Sequence, residues 1–118
     1  MGIEHRALLV IGWRLDADDL ARIAVAVRAH KPGCAEWSDE ECAGYARPIM
    51  DGWIIDWSAE RYGEPCSYHI SAVRPDAELD ADALIDVLPT FRAQGAALAE
   101  RLGIPFRGIT VRAVHRSC

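Results

Sequence analysis

The stretch RALLVIGWRL, residues 6–15, constrains this chain more than any other. It is apolar at odd and even positions alike, so a strand made from it has no face suited to water. That pattern predicts a central strand with covered neighbours. The apolar run from Ala7 to Trp13 is far shorter than the roughly 20 residues a membrane-spanning helix needs. No small-residue cleavage pattern follows it, so no signal peptide and no membrane partner are expected, and cytoplasm is the expected compartment.

The strand runs into DADDL, in which Asp16 suits an N-cap and Asp18 and Asp19 put negative charge in a first helical turn. Leu20, Ile23, Ala24 and Val27 then recur at helical spacing, and Lys31-Pro32-Gly33 ends the helix. Residues 33–50 lack a core period and form an insertion. Inside it, Ser38 with Glu41 makes a capping box for a short helix over 39–46, with Trp37 placed to staple onto Cys42.

The segment DGWIIDWSAERYGEPCSYHISAVRP, residues 51–75, alternates as a hairpin. Trp53, Ile55 and Trp57 share one face of its first arm, and Tyr68, Ile70 and Ala72 share that face of the second. With a turn at 61–64, Asp56 lies opposite His69 and Ser58 opposite Ser67, because a one-residue slip would set apolar against polar. Asp80 or Asp82 caps a longer helix whose stripe is Leu84, Leu88, Phe91, Gly95, Leu98 and Leu102, with Pro89 inside it as a kink or a break. Gly103 and Pro105 end it, and RGITVRAVHR is the last strand.

A chain of 118 residues in this order makes one domain, 1–118. The expected fold class is α+β, a ferredoxin-like βαββαβ two-layer sandwich with spatial strand order 4-1-3-2. That order places RALLVIGWRL in the interior. Both helices then cover one face and leave the other open, carrying Leu8, Val10 and Arg14, the polar side of the hairpin with Val73, and Arg112 and Val114 from the last strand. An apolar centre with a polar rim is the pattern of a contact surface.

Half the residues are hydrophobic (51%), 26% are charged and the net charge is −5, an ordinary globular balance without the basic surface that nucleic-acid binding requires. Its aromatics point inward rather than onto the open face. No glycine-rich phosphate loop or nucleophile elbow is present. Cys66 with His69, and His115 with Cys118, are spaced three apart. On extended strands such pairs point to opposite faces, so no metal and no cofactor is expected, and Cys66 reads as a core thiol.

The composite expectation is a small protein-binding module without catalytic activity, using the open face and Trp37. The partner is a second copy, as a homodimer, or a basic target met as an inhibitor or immunity protein meets its enzyme. Asp56 beside His69 supplies the alternative, a small-molecule-binding or enzymatic dimeric protein of the same fold in which the carboxylate raises the imidazole pKa.

Overall fold

Asp16 is the hinge between the first two elements. In the computed structural model, which describes residues 5–58, 66–72 and 80–117, with 5–8 and 114–117 at the level of the backbone, β1 spans His5–Leu15 and α1 spans Ala17–His30. The Asp16 carboxylate accepts from the Asp19 backbone N–H, and the Asp19 carboxylate accepts from the Asp16 N–H, a reciprocal capping box. After two single 3-10 turns and α2 (Asp39–Gly44) come β2 (Ile54–Ser58), β3 (Ser67–Ser71), α3 (Ala81–Leu102) and β4 (Thr110–Ser117). Ser38 caps α2 by accepting from the Glu41 N–H. Pro89 neither splits nor ends α3, which runs for 22 residues from its Asp80 cap to Gly103, at φ 73°. The hairpin turn, together with Val73, lies outside the described residues.

Among the described residues the fold is α+β, a four-stranded antiparallel sheet in the order β2-β3-β1-β4 with three α-helices. Read from the β4 edge, that is fourth, first, third, second. Asp56 pairs with His69 and Ser58 with Ser67. The helices bury their inner stripes on the sheet face carrying Trp13, Leu15, Ile70 and Trp53. Ile23, Ala24 and Val27 come from α1, Cys42 and Ala43 from α2, and Leu98, Ala99 and Leu102 from α3. Each large apolar side chain fully buried there contributes about 1.5–3 kcal/mol. Gly95 lets α3 settle on the rings, since a Cβ there would lie 3.0–3.2 Å from Trp53, Trp13 and Phe106. The outer half of the expected stripe, Leu84, Leu88 and Phe91, is only half-buried.

The sheet is not flat. Its two edge strands, β2 and β4, bring Cα atoms within 8 Å of one another. Three steps across a flat sheet would separate them by about 14 Å. The coil closes away from the helices, because Val10, Ser58, His69 and Ser71 on the helix-free face are all under a tenth exposed. Gly12 lies where the strands meet in one row, Ile54–Ser71–Gly12–Thr110. A Cβ on Gly12 would stand 1.9 Å from the Ile70 carbonyl oxygen. Strand glycines mark such close backbone approaches and tight corners. Two hydroxyls serve the same row. The Ser71 hydroxyl accepts from the Ile11 N–H at 3.1 Å, and the Thr110 hydroxyl donates to the Gly12 carbonyl at 3.0 Å.

Here the structure corrects the expected open face. Val10 is 2% exposed and lies inside the coil instead of presenting an apolar contact surface. Alternation assigns a residue to a face but does not tell whether that face curls shut.

Replacing Gly12 by Ala forces the backbones apart and should destabilise the fold by about 1–3 kcal/mol or more. Gly44→Ala, in α2 with open space around it, should be neutral or stabilising by up to about 1 kcal/mol. Urea denaturation of both variants checks the contrast.

Candidate functional site

Two polar regions adjoin at the end of the sheet where β1 passes into α1. The first is the interior of the coil. His69, 3% exposed, has its Nε2 3.0 Å from the Ser58 hydroxyl. Asp56 stands opposite His69 on β2, and its Oδ1 accepts from the Trp57 N–H at 2.8 Å. Arg14, the β1 neighbour of His69, and Arg112 from β4 are exposed at the rim.

These surroundings set the charge of the ring. Burial lowers the His69 pKa below its ordinary value, the positive charges of Arg112 and Arg14 lower it further, and the Asp56 carboxylate opposes them with the smallest effect. The expected raising of the imidazole pKa by Asp56 is therefore reversed, since desolvation and two arginines outweigh one acid. His69 is neutral near pH 7, and one hydrogen bond joins it to Ser58. A serine hydroxyl beside an imidazole is the geometry of nucleophile and base. At 8% exposure, however, Ser58 is largely covered by the coil.

The second region is a cleft of about 510 Å³ lined by Arg14, Leu15, Asp16, Ala17, Leu20, Glu40, Cys66, Ser67, Tyr68 and Arg107. Cys66 is exposed at this cleft, which corrects its reading as a core thiol: it precedes β3 instead of alternating within it. Arg107 is held by Asp16 at 2.8 Å and by the buried Asp19 at 3.3 Å. Burial raises the Tyr68 pKa, and the neighbouring Cys66 and Glu40 raise it further, so the phenol stays protonated and can donate. Asp16 is held below the usual carboxylate range, first by the hydrogen bond from the Asp19 backbone and also by Arg107.

Trp37 lies apart from both regions. It is half-buried against the core cluster and packs its ring 4.7 Å from that of Tyr45, which is 55% exposed. The Lys31 ammonium sits over both rings, 5.7 and 5.2 Å from their centroids. Arg28 donates to the Trp37 carbonyl at 2.6 Å and to Asp39 at 3.1 Å, tying α1 to the insertion.

Of the residues singled out by sequence, the fold brings together Arg14, Asp56, His69 and Arg112. It buries Val10 and leaves Trp37 elsewhere. Leu8 and Val114 are paired in register, and their side chains lie outside the described residues, as does Val73. The cleft residues Glu40, Ser67, Tyr68 and Arg107 carried no motif. Their only signal was position, each being at or near the end of an element. Among the described residues no group of three or more His, Cys, Asp or Glu is placed to hold a metal ion, and no helix is long and apolar enough to cross a membrane. No family model, curated protein or solved structure matches the chain, so function is argued from these sites alone.

Ser58→Ala removes the hydroxyl from a buried imidazole and should cost about 1–3 kcal/mol of stability. Because the folded His69 pKa lies below that of the unfolded chain, near 6.5, the unfolded state takes up the proton first. The neutral ring's contribution is whole above about pH 6.5 and is lost as pH falls from there toward the folded-state pKa. Equilibrium denaturation should show that decline in the wild type and less of it in His69→Gln. Coincident pH profiles would mean that the ring is not held neutral by the fold.

Proposed function

We propose that the protein is a small binding module without catalytic activity that receives a basic segment of a partner protein at the Trp37 corner. One observation carries this reading: Lys31 lies over the paired rings of Trp37 and Tyr45. An aromatic pair that holds an ammonium group from its own chain suits one offered by another. Glu36 and Glu41, on the same insertion as Trp37, are exposed, and the net charge of −5 favours encounter with a positive partner. The partly buried Trp37, anchored from behind by Arg28, gives the corner a rigid base. Cytoplasmic location and the ferredoxin-like class belong to the same proposal. The latter is supported by the chain order of strands and long helices and by the antiparallel neighbours.

The expected contact through Val10 drops out, since that side chain is already covered. A homodimer built on the helix-free face would have to use the rim of Arg14 and Arg112 instead. The second reading, a small-molecule or enzymatic site at Asp56 and His69, is favoured by the Ser58–His69 hydrogen bond and by the cleft beside it.

A lysine-rich peptide should quench or shift tryptophan fluorescence on binding. Trp37→Ala and Tyr45→Ala should each weaken it by about 1–2 kcal/mol, roughly tenfold or more. If both variants bind the peptide as the wild type does, the corner is a structural staple. Sedimentation at micromolar concentration separately tests self-association.

A further inference from the structure

The cleft between α1, α2 and the start of β3 carries charges of both signs. Several basic and acidic side chains among the described residues are joined: Arg28 with Asp39, Arg101 with Asp51 and, at the cleft itself, Arg107 with Asp16 and Asp19. The cleft also holds a cation and an anion that are not joined. Arg14 and Glu40 both line it at exposed positions, and neither side chain is in an ion pair with a described residue. The same cavity is lined by neutral donors, the Tyr68 phenol and the Ser67 hydroxyl, and by the apolar Leu15, Ala17 and Leu20. The N-terminus of α1 does not compete for an anion, because Asp16 and Asp19 cap each other.

From this geometry we infer that the cleft is a binding site for a small zwitterion of the amino-acid class, its carboxylate on Arg14 and its ammonium on Glu40. A guanidinium matches a carboxylate in two parallel hydrogen bonds, and charge-assisted bonds of this kind are about twice as strong as neutral ones. Tyr68, close enough to Glu40 to feel its charge, is held in the protonated form that donates to the same carboxylate or to a side-chain oxygen. The volume of about 510 Å³ lies within the common range for ligand sites and leaves room for a side chain beside Leu15 and Leu20. An anion without an ammonium would leave Glu40 unpaired, and an amine alone would leave Arg14 unpaired. The site therefore distinguishes a zwitterion from either half of it.

This inference goes beyond the Trp37 reading and does not depend on it. The test uses the full chain, titrated calorimetrically with a panel of free α- and ω-amino acids, and with acetate, propionate and butylamine as half-ligands. At least one zwitterion is expected to bind about tenfold or more tighter than either half-ligand. Arg14→Gln and Glu40→Gln, both at exposed positions, should each remove that advantage, and Tyr68→Phe should reduce it. Binding also has a readout in the coil. A carboxylate on Arg14 offsets the charge that this arginine exerts on His69, so the imidazole pKa followed by NMR should rise on saturation in the wild type and stay put in Arg14→Gln. Equal, weak responses to every compound would overturn the inference, as would a preferred zwitterion whose affinity survives both charge-removing variants. Loss of peptide binding in Trp37→Ala with zwitterion binding intact would separate this site from the corner.

Discussion

A missing side chain sets the shape of this protein. Gly12 occupies the row where all four strands meet, and the Ile70 carbonyl takes the space where any other residue would place its Cβ. That approach lets β1, long enough to pair with β4 along most of its length and with β3 only at its end, serve two parts of a coiled sheet. Coiling shields sheet surface that would otherwise need a second layer, since the described helices pack on the other face. It also brings the edges β2 and β4 together and shortens the exposed edge available for unwanted pairing.

The same coil gives the polar face its chemistry. In a flat sheet Ser58, His69 and Ser71 would be wet and unremarkable neighbours. Once the sheet closes, each needs a partner, and the partners are local: Ser58 for the His69 ring, the Ile11 N–H for the Ser71 hydroxyl. A protonated imidazole there would be buried beside two arginines, with Asp56 the one acid among the described residues that acts to balance them. Neutrality is the lower-energy state, and it couples the interior electrostatically to the rim, because the arginine that depresses the ring most after Arg112 is Arg14, which also lines the cleft.

Much of the architecture was legible in local pattern. The two-sided apolarity of RALLVIGWRL placed β1 in the interior, the alternation of the hairpin set the pairing of Asp56 with His69, and Asp16, Ser38 and Asp80 announced helix starts by their capping chemistry. Curvature was not legible, because period-two alternation is the same in a flat sheet and a coiled one. Gly12 was visible as a glycine within a strand, yet only the backbone of β3 shows what it accommodates. The inverted pKa argument for His69 has the same origin: the acid opposite the ring could be read from register, whereas the desolvation and the second arginine follow from closure. The cleft was hidden for another reason. Its walls come from five separate stretches of chain, and no spacing rule connects Glu40 on α2 with Arg14 on β1.

The placement of charge separates the groups that hold the fold together from those left over. Arg28, Arg101 and Arg107 each bridge distant parts of the chain and also satisfy carbonyls or caps that would otherwise face water alone. Exposed pairs of this kind are worth only about 0–1 kcal/mol each, so their effect is to position the insertion and the helix ends more than to stabilise them. By fixing α2 against α1, Arg28 fixes where Glu40 stands. By occupying Asp16 and Asp19, Arg107 keeps those acids from neutralising Arg14. The unpaired charges in the cleft are thus a consequence of how the paired ones are used. Arg14 and Glu40 line one cavity, each without an ion pair to a described residue, and that leaves both charges open to be met by a third molecule.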